Sequence, residues 1–352
     1  MNIGFHTNGL SLRGTEIALY DYALHNQTLL GHQSTIFYRK NSEVNQAVFD
    51  KFAKHFKMKP YEGQKQLNQF IEQEHIDLAY FIKSGERDDA ICKSAPALIH
   101  AVFPTHPKEF HGQKYAFVSE WLSKEYSNNQ IPFVPHMINL PKLEGNLRSE
   151  LAIPKSATVL GCYGGADSFN LEFAQKEVVH ALEKRSDLYF LFMNITPFAK
   201  HERLLFLPGK ADLIHKVKFI NTCDGMIHAR GIGESFGLAC GEFSIQGKPV
   251  ITYSMSPQRS HIEILGDKAI LYKGKKDLAD TLMTVNRQTQ AQQNWDAYSN
   301  SFSPKAVMGQ FNDVFICGKD LKDIHLLAFD RAMIQKYRLL RKLRNLQKKL
   351  YL

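Results

Sequence analysis

Short apolar runs alternate with longer amphipathic segments along this chain, and the series occurs twice. Asn2–His6 reads as a strand, Thr7–Arg13 as a loop, and Thr15 to Leu30 as an amphipathic helix ended by Gly31. Gln33–Tyr38 is apolar again. Further strands are predicted at Asp77–Ile82, Ala97–Phe103 and Tyr115–Val118, with helices over Asn45–Phe56 and Gln64–Glu74. Parallel strands can be joined only by long crossovers, so this alternation predicts a parallel sheet covered on both faces. A second series follows the segment Pro141–Pro154: strands at Thr158–Tyr163, Leu188–Met193, Val217–Ile220, Met226–Ala229, Val250–Thr252 and Ala269–Tyr272, with a helix over Leu171–Lys184. With 352 residues, 44% of them hydrophobic, the chain can fill two cores. We therefore expect an α/β fold of two doubly wound units, 1–145 and 146–318, with a separate stretch 319–352, and a cleft where the units face each other.

Inside the second series lies ARGIGESFGLACGEFSIQGKPVIT, which carries Glu234 and Glu242. Phe236 to Ile245 reads as a helix, with Leu238, Ala239, Phe243 and Ile245 apolar, and Gly237 near its start allows close backbone approach to a ligand. Free N–H groups at a helix N-terminus favour an anion such as a diphosphate. Glu234 falls just ahead of that terminus and Glu242 nearly two turns inside, roughly 9 Å along the axis at 1.5 Å per residue. The two carboxylates thus cannot share a ligand atom, but each can accept hydrogen bonds from sugar or ribose hydroxyls.

These residues resemble the signature of retaining GT-B glycosyltransferases, glycosyltransferase family 4 in particular, in which two glutamates separated by seven residues flank Phe-Gly-Leu. The likeness continues through Gly247, which fits a helix C-cap, and Pro249, which fits the first residue of a strand. It is strong from about Lys216 to Tyr272. It implies two Rossmann-like domains, the first holding an acceptor and the second a nucleoside-diphosphate sugar. By the same resemblance Glu234 contacts the donor sugar and Glu242 the ribose, while Ser235, Phe236, Gly237 and Leu238 lie near the sugar and phosphates. The departing phosphate would take the acceptor proton.

Two glycine loops occupy strand-to-helix positions, where ligands gather in open α/β sheets. In the first, Arg13 and Gly14 are implied to close on donor phosphates or hold the acceptor, and Arg13 also reads as a plain surface cation. The second, Tyr163 to Asn170, has adjacent Gly164 and Gly165 whose N–H groups can approach an anion. The family has an Arg and a Lys there, where this chain has Gly, Asp and Phe, so Arg230 is put forward as the substitute cation, against the alternative that it pairs with a carboxylate. His100, after the apolar Ala97-Leu-Ile, resembles the family's histidine near the transferred sugar, and also reads as a core histidine. His228 has a similar place, with no family role. The triplet D-x-D is absent from the sequence and no Cys pair has zinc spacing, which argues against a bound metal, and no cofactor is expected beyond the donor. The lack of G-x-G-x-x-G argues against a nicotinamide. Gly233-Glu-Ser235-Phe-Gly237 formally matches a hydrolase nucleophile elbow, but Arg230-Gly-Ile-Gly233 separates Ser235 from the preceding apolar strand.

The net charge of +9 is concentrated beyond residue 330, where eight Lys and Arg occur with no acid, leaving 36 basic against 35 acidic residues elsewhere. Nucleic-acid binding by the body is therefore not expected. Leu339, Leu343, Leu346 and Leu350 give that tail an apolar seam, open to three readings: a packed terminal helix, a short coiled coil, or a basic helix on an anionic membrane. Cys92, Cys162, Cys223, Cys240 and Cys317 have no metal or redox spacing and read as buried, reduced thiols. Without a signal peptide or an apolar stretch of membrane-spanning length, the expected location is cytoplasmic, with a possible peripheral membrane contact through 331–352. The expected activity is metal-independent, retaining transfer of a sugar to a glycan or other hydroxyl acceptor. The alternatives are a catalytically idle scaffold that binds nucleotide or glycan, and a sugar-nucleotide epimerase.

Overall fold

The computed structural model describes residues 1–290 and 293–324, side chains at 289 and 290 excepted. The chain divides into two compact units, one from Met1–Met137 with the segment that starts at Ser301, the other from Ile138–Asn300.

The first unit is built from β1 (Asn2–Thr7), α1 (Gly14–Thr28), β2 (Gln33–Arg39), α2 (Gln46–Ala53), β3 (Lys57–Tyr61), α3 (Gln64–Gln73), β4 (Leu78–Lys83), β5 (Ala97–Ala101), β6 (Lys114–Phe117) and α4 (Glu120–Ser127). Its strands form one parallel sheet in the order β3-β2-β1-β4-β5-β6. The central strands are apolar on both faces: Ile3, Phe5, Phe81, Leu98 and Ile99 have no exposed surface, as expected for strands buried between two helical layers. The second unit contains β7 (Thr158–Tyr163), α5 (Glu172–Lys184), β8 (Leu188–Met193), β9 (Leu204–Leu207), α6 (Leu213–Thr222), β10 (Gly225–His228), β11 (Gly233–Glu234), α7 (Leu238–Ile245), β12 (Val250–Tyr253), β13 (Gln258–Arg259), α8 (Ser260–Leu265), β14 (Ala269–Tyr272), α9 (Lys275–Thr284) and α10 (Arg287–Gln290). Its main sheet, β14-β12-β10-β7-β8-β9, is parallel and has the same order once its strands are counted in sequence. That 3-2-1-4-5-6 order reverses direction between the first and fourth strands, and such a switch point opens a crevice at the carboxyl edge of each sheet.

Several sequence expectations are corrected. Val217–Ile220 lies within helix α6, not a strand: Asp212 caps it by accepting from the Ile214 and His215 amides, and Val217 and Ile220 bury one face at helical spacing. The helix expected from Phe236 begins at Leu238, because Gly237 has φ 96°, outside helical geometry. Its end is as read: Lys248 N–H bonds to Phe243 O and Gly247 N–H to Ser244 O, a Schellman closure around Gly247 at φ 67°. Segment Pro141–Pro154 is fastened to the second unit through Arg148, which donates to the carbonyls of Thr222, Pro154 and Ala157 and pairs with Asp224 at 2.8 Å. Cys317 is exposed, whereas the other four cysteines are buried as expected.

The helix α11 (Pro304–Phe311) follows, and the described residues 301–324 belong with the first unit, although the sequence reading placed everything to 318 in the second. Phe311 packs against Tyr22 and Tyr80, each at 5.5 Å between ring centroids, and Phe315 against Tyr80 and His100 at 5.6 and 5.3 Å. Aromatic burial of this size outweighs sequence proximity as a determinant of which core a segment joins. Asp320, at the start of the tail expected as a separate helix, accepts from Gln113, and the Leu321 amide donates to Gln113 O. The leucine seam and cationic run lie outside the described residues. Among those described, no helix is long and apolar enough to cross a membrane.

Each unit has one tryptophan, Trp121 and Trp295 respectively. Phe311→Ala is expected to destabilise the first unit by about 3–5 kcal/mol, read as a lower urea midpoint for Trp121 fluorescence in a Trp295→Phe background. An unmoved Trp121 midpoint, with Trp295 fluorescence shifted instead in a Trp121→Phe background, would assign the segment to the other core.

Candidate functional site

The carboxyl edge of the second sheet is assembled from the loops after β7 and β10 and from a small parallel pair, β11 with β13, that puts Gly233 beside Gln258 and Glu234 beside Arg259. Gly233 has φ 75°, and a Cβ there would sit 2.0 Å from the Gln258 carbonyl oxygen, so the pairing requires glycine. Gly237 does the same for the turn into α7: at φ 96°, its Cβ would meet the Cβ of His261 at 2.8 Å. Backbone approach at these two points fixes where Glu234 emerges relative to the N-terminus of α7.

Glu234 has 20% of its side chain exposed. Nη1 of Arg230 donates to both its oxygens, at 3.1 and 3.0 Å, and His228 Nε2 lies 3.3 Å from Oε1. Burial alone would push the carboxyl up, but the charge of Arg230, then the His228 hydrogen bond and charge and that of His261, overcome it and hold the pKa down at about 2. Behind His228 the network continues: Nδ1 is 2.8 Å from Thr252 Oγ1, which is 2.9 Å from His261 Nε2. His261 is fully enclosed, burial keeps its pKa well below the usual imidazole value, and its Nδ1 has no partner.

Glu242, on α7, is 6% exposed. Lys216 of α6 pairs with its Oε1 at 2.8 Å, and the Tyr163 hydroxyl at the end of β7 donates to its Oε2. Burial first, and then the Glu242 charge, keeps the Tyr163 proton on. Glu242 is thus an oriented acceptor whose remaining lone pairs can take hydroxyls. Neither Lys216 nor Tyr163 was singled out from sequence. Tyr163 directly precedes Gly164 at a strand end, which was an available signal, whereas Lys216 sits just ahead of Val217–Ile220, read as a strand where the structure has helix α6, so its facing could not be placed.

In the glycine loop, the Gly164 carbonyl accepts from Asn194 Nδ2 at 2.7 Å and the Gly165 carbonyl from the Ser168 amide at 2.9 Å, which closes a tight turn. Asp167 of that loop adds a negative field at Arg230, second in charge effect to Glu234. The charge of Arg230 is therefore already offset within the protein. Arg259 has a different situation: half-buried beside Glu234 in the β11–β13 pair, it donates to the Ser254 carbonyl and has no carboxylate within ion-pair distance among the described residues. Ser235 is half-buried, Phe236 packs edge-on against Tyr298 at 6.0 Å, and Leu238 opens α7 half-buried. The strained backbone of this turn falls on Gly237, two residues past Ser235, so the elbow geometry of a serine hydrolase is not formed.

Other sequence candidates lie in the first unit. Arg13 precedes α1 with its side chain 75% exposed, 3.9 Å from Glu43, and Gly14 is the first residue of that helix. His100 is corrected to a core residue: it has no exposed surface, its Nδ1 is bonded to Tyr80 at 2.5 Å and its Nε2 to the Val134 carbonyl at 2.8 Å, and burial lowers its pKa to about 3. Both nitrogens are occupied, so it offers nothing to a sugar. Among the described residues no three His, Cys, Asp or Glu side chains converge to hold a metal ion.

No family model matches the chain, and no curated protein matches it in sequence. Solved structures do. Anabaena Alr3699/HepE in complex with UDP-glucose superposes with a TM-score of 0.69 at 15% identity, over 90% of this chain and 99% of that one. A glycosyltransferase from Rickettsia africae ESF-5 gives 0.66 at 13% identity over 90% and 99%. A Listeria monocytogenes protein taken to be a UDP-N-acetylglucosamine 2-epimerase gives 0.57 at 12% identity over 91% and 97%. The fold is the GT-B fold of these proteins.

Because Glu234 has a folded pKa of about 2 against an ordinary 4.5, its contribution to stability is complete above about pH 4.5 and is lost as pH falls toward 2. The contribution is on the order of 3 kcal/mol at about 1.4 kcal/mol per unit. A carbon-detected NMR titration should find its midpoint in that low range, and Arg230→Ala should move it upward. An unmoved midpoint would show that Arg230 does not set the ionisation.

Proposed function

We propose that the chain is a glycosyltransferase that moves a sugar from a nucleoside-diphosphate sugar to a hydroxyl acceptor. The observation that carries this reading is the pair of pre-oriented carboxylates at the two ends of one turn-and-helix unit. Glu234 is held ionised ahead of the α7 N-terminus, and Glu242 is held inside it by Lys216 and Tyr163. The same two-unit fold in Anabaena HepE, solved with UDP-glucose, supports it.

In this reading the free amides opening α7 face the donor's diphosphate. Arg259 supplies the positive charge that the Gly164-Gly165 loop lacks, since Arg230 is engaged by Glu234. Glu234, ionised and therefore an acceptor only, takes hydrogen bonds from sugar hydroxyls; Glu242 takes those of the ribose. During transfer the bond from the anomeric carbon to the diphosphate oxygen breaks and a bond to the acceptor oxygen forms. The acceptor's proton passes to the departing phosphate, with retention of configuration as the family resemblance implies. Cation and amide donors do the charge stabilisation, without a metal.

An epimerase is the second reading, favoured by the Listeria structure of the same fold. It would convert the nucleotide sugar with no acceptor present, so product analysis separates the two; a nucleotide-binding scaffold would give no product with any donor.

A melting-point screen of uridine and guanosine diphosphosugars should find a stabilising donor. With that donor, Glu234→Gln should lower the transfer rate about a hundredfold or more while the fold is retained. Arg259→Ala should weaken donor binding about tenfold, the usual size for loss of one charge-assisted contact. Full activity in Glu234→Gln would end the proposal; undiminished donor affinity in Arg259→Ala would return the diphosphate to another cation.

A further inference from the structure

The carboxyl edge of the first unit's sheet carries a polar cluster that the donor chemistry does not use. Four strands finish there on a side chain able to bind: His6 near the end of β1, Arg39 at the end of β2, Tyr61 at the end of β3 and Lys83 at the end of β4. Arg39 is in register with Tyr61, and His6 with both Phe37 and Phe81, so the sheet itself brings these ends together. His6, Tyr61 and Lys83 are buried; Arg39 keeps 32% of its side chain open.

Hydrogen-bond direction can be followed through the cluster. The Tyr61 hydroxyl is hydrogen-bonded to His6 Nε2 and lies beside the Arg39 guanidinium, which can only donate; with the tyrosine oxygen accepting from Arg39, we assign the tyrosine hydrogen to His6 Nε2. Burial, with Arg39 and Lys83 close by, holds the His6 pKa down to about 3, so the ring is neutral; with the tyrosine hydrogen assigned to Nε2, the ring hydrogen is assigned to Nδ1. That N–H has no partner, and neither has Arg39 Nε. Two unsatisfied donors on one hydrogen-bonded chain are uncommon in a folded protein and point to a group that completes them.

The acids around the cluster come from outside the sheet. Asp88 and Asp89 sit on the loop after β4, where Lys83 pairs with Asp88 and Arg39 Nη2 donates to Asp89 at 2.7 Å. The side chains of the acids are 39% and 72% exposed, against 1% for Lys83. Asp88 is also tied to the Ala90 amide at 3.0 Å, which makes it part of the loop's own structure, whereas Asp89 meets the cluster through Arg39 alone among the recorded bonds.

We propose that this edge is an anion subsite, which takes a phosphate or carboxylate group carried by the acceptor saccharide, and that the Asp89 carboxylate occupies it until the ligand displaces it. The incoming oxygens receive the Arg39 guanidinium and the unused His6 Nδ1–H, while Lys83 stays with Asp88 and contributes its field. Only the word acceptor rests on the glycosyltransferase reading; recognition of an anion at this edge does not.

Calorimetric titrations with glucose 6-phosphate, glucuronate and uncharged glucose test it, with uridine diphosphate present so that any phosphate site in the second unit is filled. A separate uridine diphosphate titration reports on the donor reading by itself. At least one charged sugar should bind and glucose should not. Arg39→Gln should weaken that binding about tenfold, as for loss of a charge-assisted hydrogen bond, and Asp89→Asn, on an exposed loop that does not threaten folding, should strengthen it several-fold. The ester binding alone assigns phosphate, the uronate alone carboxylate, and both together an undiscriminating anion site. No binding, or equal affinities in the unmodified protein, Arg39→Gln and Asp89→Asn, overturns the proposal.

Discussion

A carboxylate with four-fifths of its surface removed from water must be compensated or it protonates, and at Glu234 the compensation is Arg230 lying across both oxygens. The rest of the site is arranged around that contact. Arg230 and Glu234 are four residues apart in a loop, not in a helix, so their meeting depends on the backbone turning at Gly233. The β11–β13 pair holds that turn, and it closes only because Gly233 has no Cβ to collide with the Gln258 carbonyl. His228, backed by Thr252 and His261, then adds a contact to Glu234 Oε1. What emerges is an acid that cannot serve as a proton donor at any ordinary pH and is limited to accepting hydrogen bonds.

The same accounting bears on the diphosphate. Two cations near the helix, Arg230 and Lys216, are each matched by a glutamate, and Asp167 adds a further negative charge from the glycine loop. A diphosphate would bring more. Free amides at a helix N-terminus amount to roughly half a positive charge, which is too little by itself to balance it. Under the proposed reading the Gly164-Gly165 loop supplies no cation of its own, and Arg259, which pairs in β13 beside Glu234, is the residue proposed to make up the charge.

Much of this was legible in the sequence, and the parts that were not share a cause. Central strands such as β1, β4, β7 and β8 are buried at all but one position each and read as mostly apolar runs. The edge strands β3 and β9 were missed: β3 reads Lys-Met-Lys-Pro-Tyr, where one partner suffices, so charge and proline are tolerated and the apolar signal is lost. Glu234, Glu242 and the glycines announced themselves by spacing. Their holders did not, because Tyr163 and Lys216 lie 79 and 26 residues from Glu242, and pairing over such distances is set by topology. His100 misled for a related reason. Its place in β5 resembles a site position, but whether a strand residue faces a crevice or a core is decided by what packs on it, here Phe315 from the far end of the chain.

The two units have the same strand order and, at the same edge, comparable leftovers. Each ends its polar network in a buried histidine whose Nδ1 has no partner: His261 behind Glu234, and His6 behind Arg39. Unsatisfied imidazole nitrogens cost free energy. His6 lies near the end of β1, and His261, in α8, reaches Thr252 of β12, both near the carboxyl edge of their sheets, the region in which a doubly wound fold meets its ligands. In the second unit the network leads to a carboxylate, suited to hydroxyls. In the first it leads to a guanidinium and an N–H, suited to an anion. The difference in polarity between these two edges is a property of the chain's own side chains.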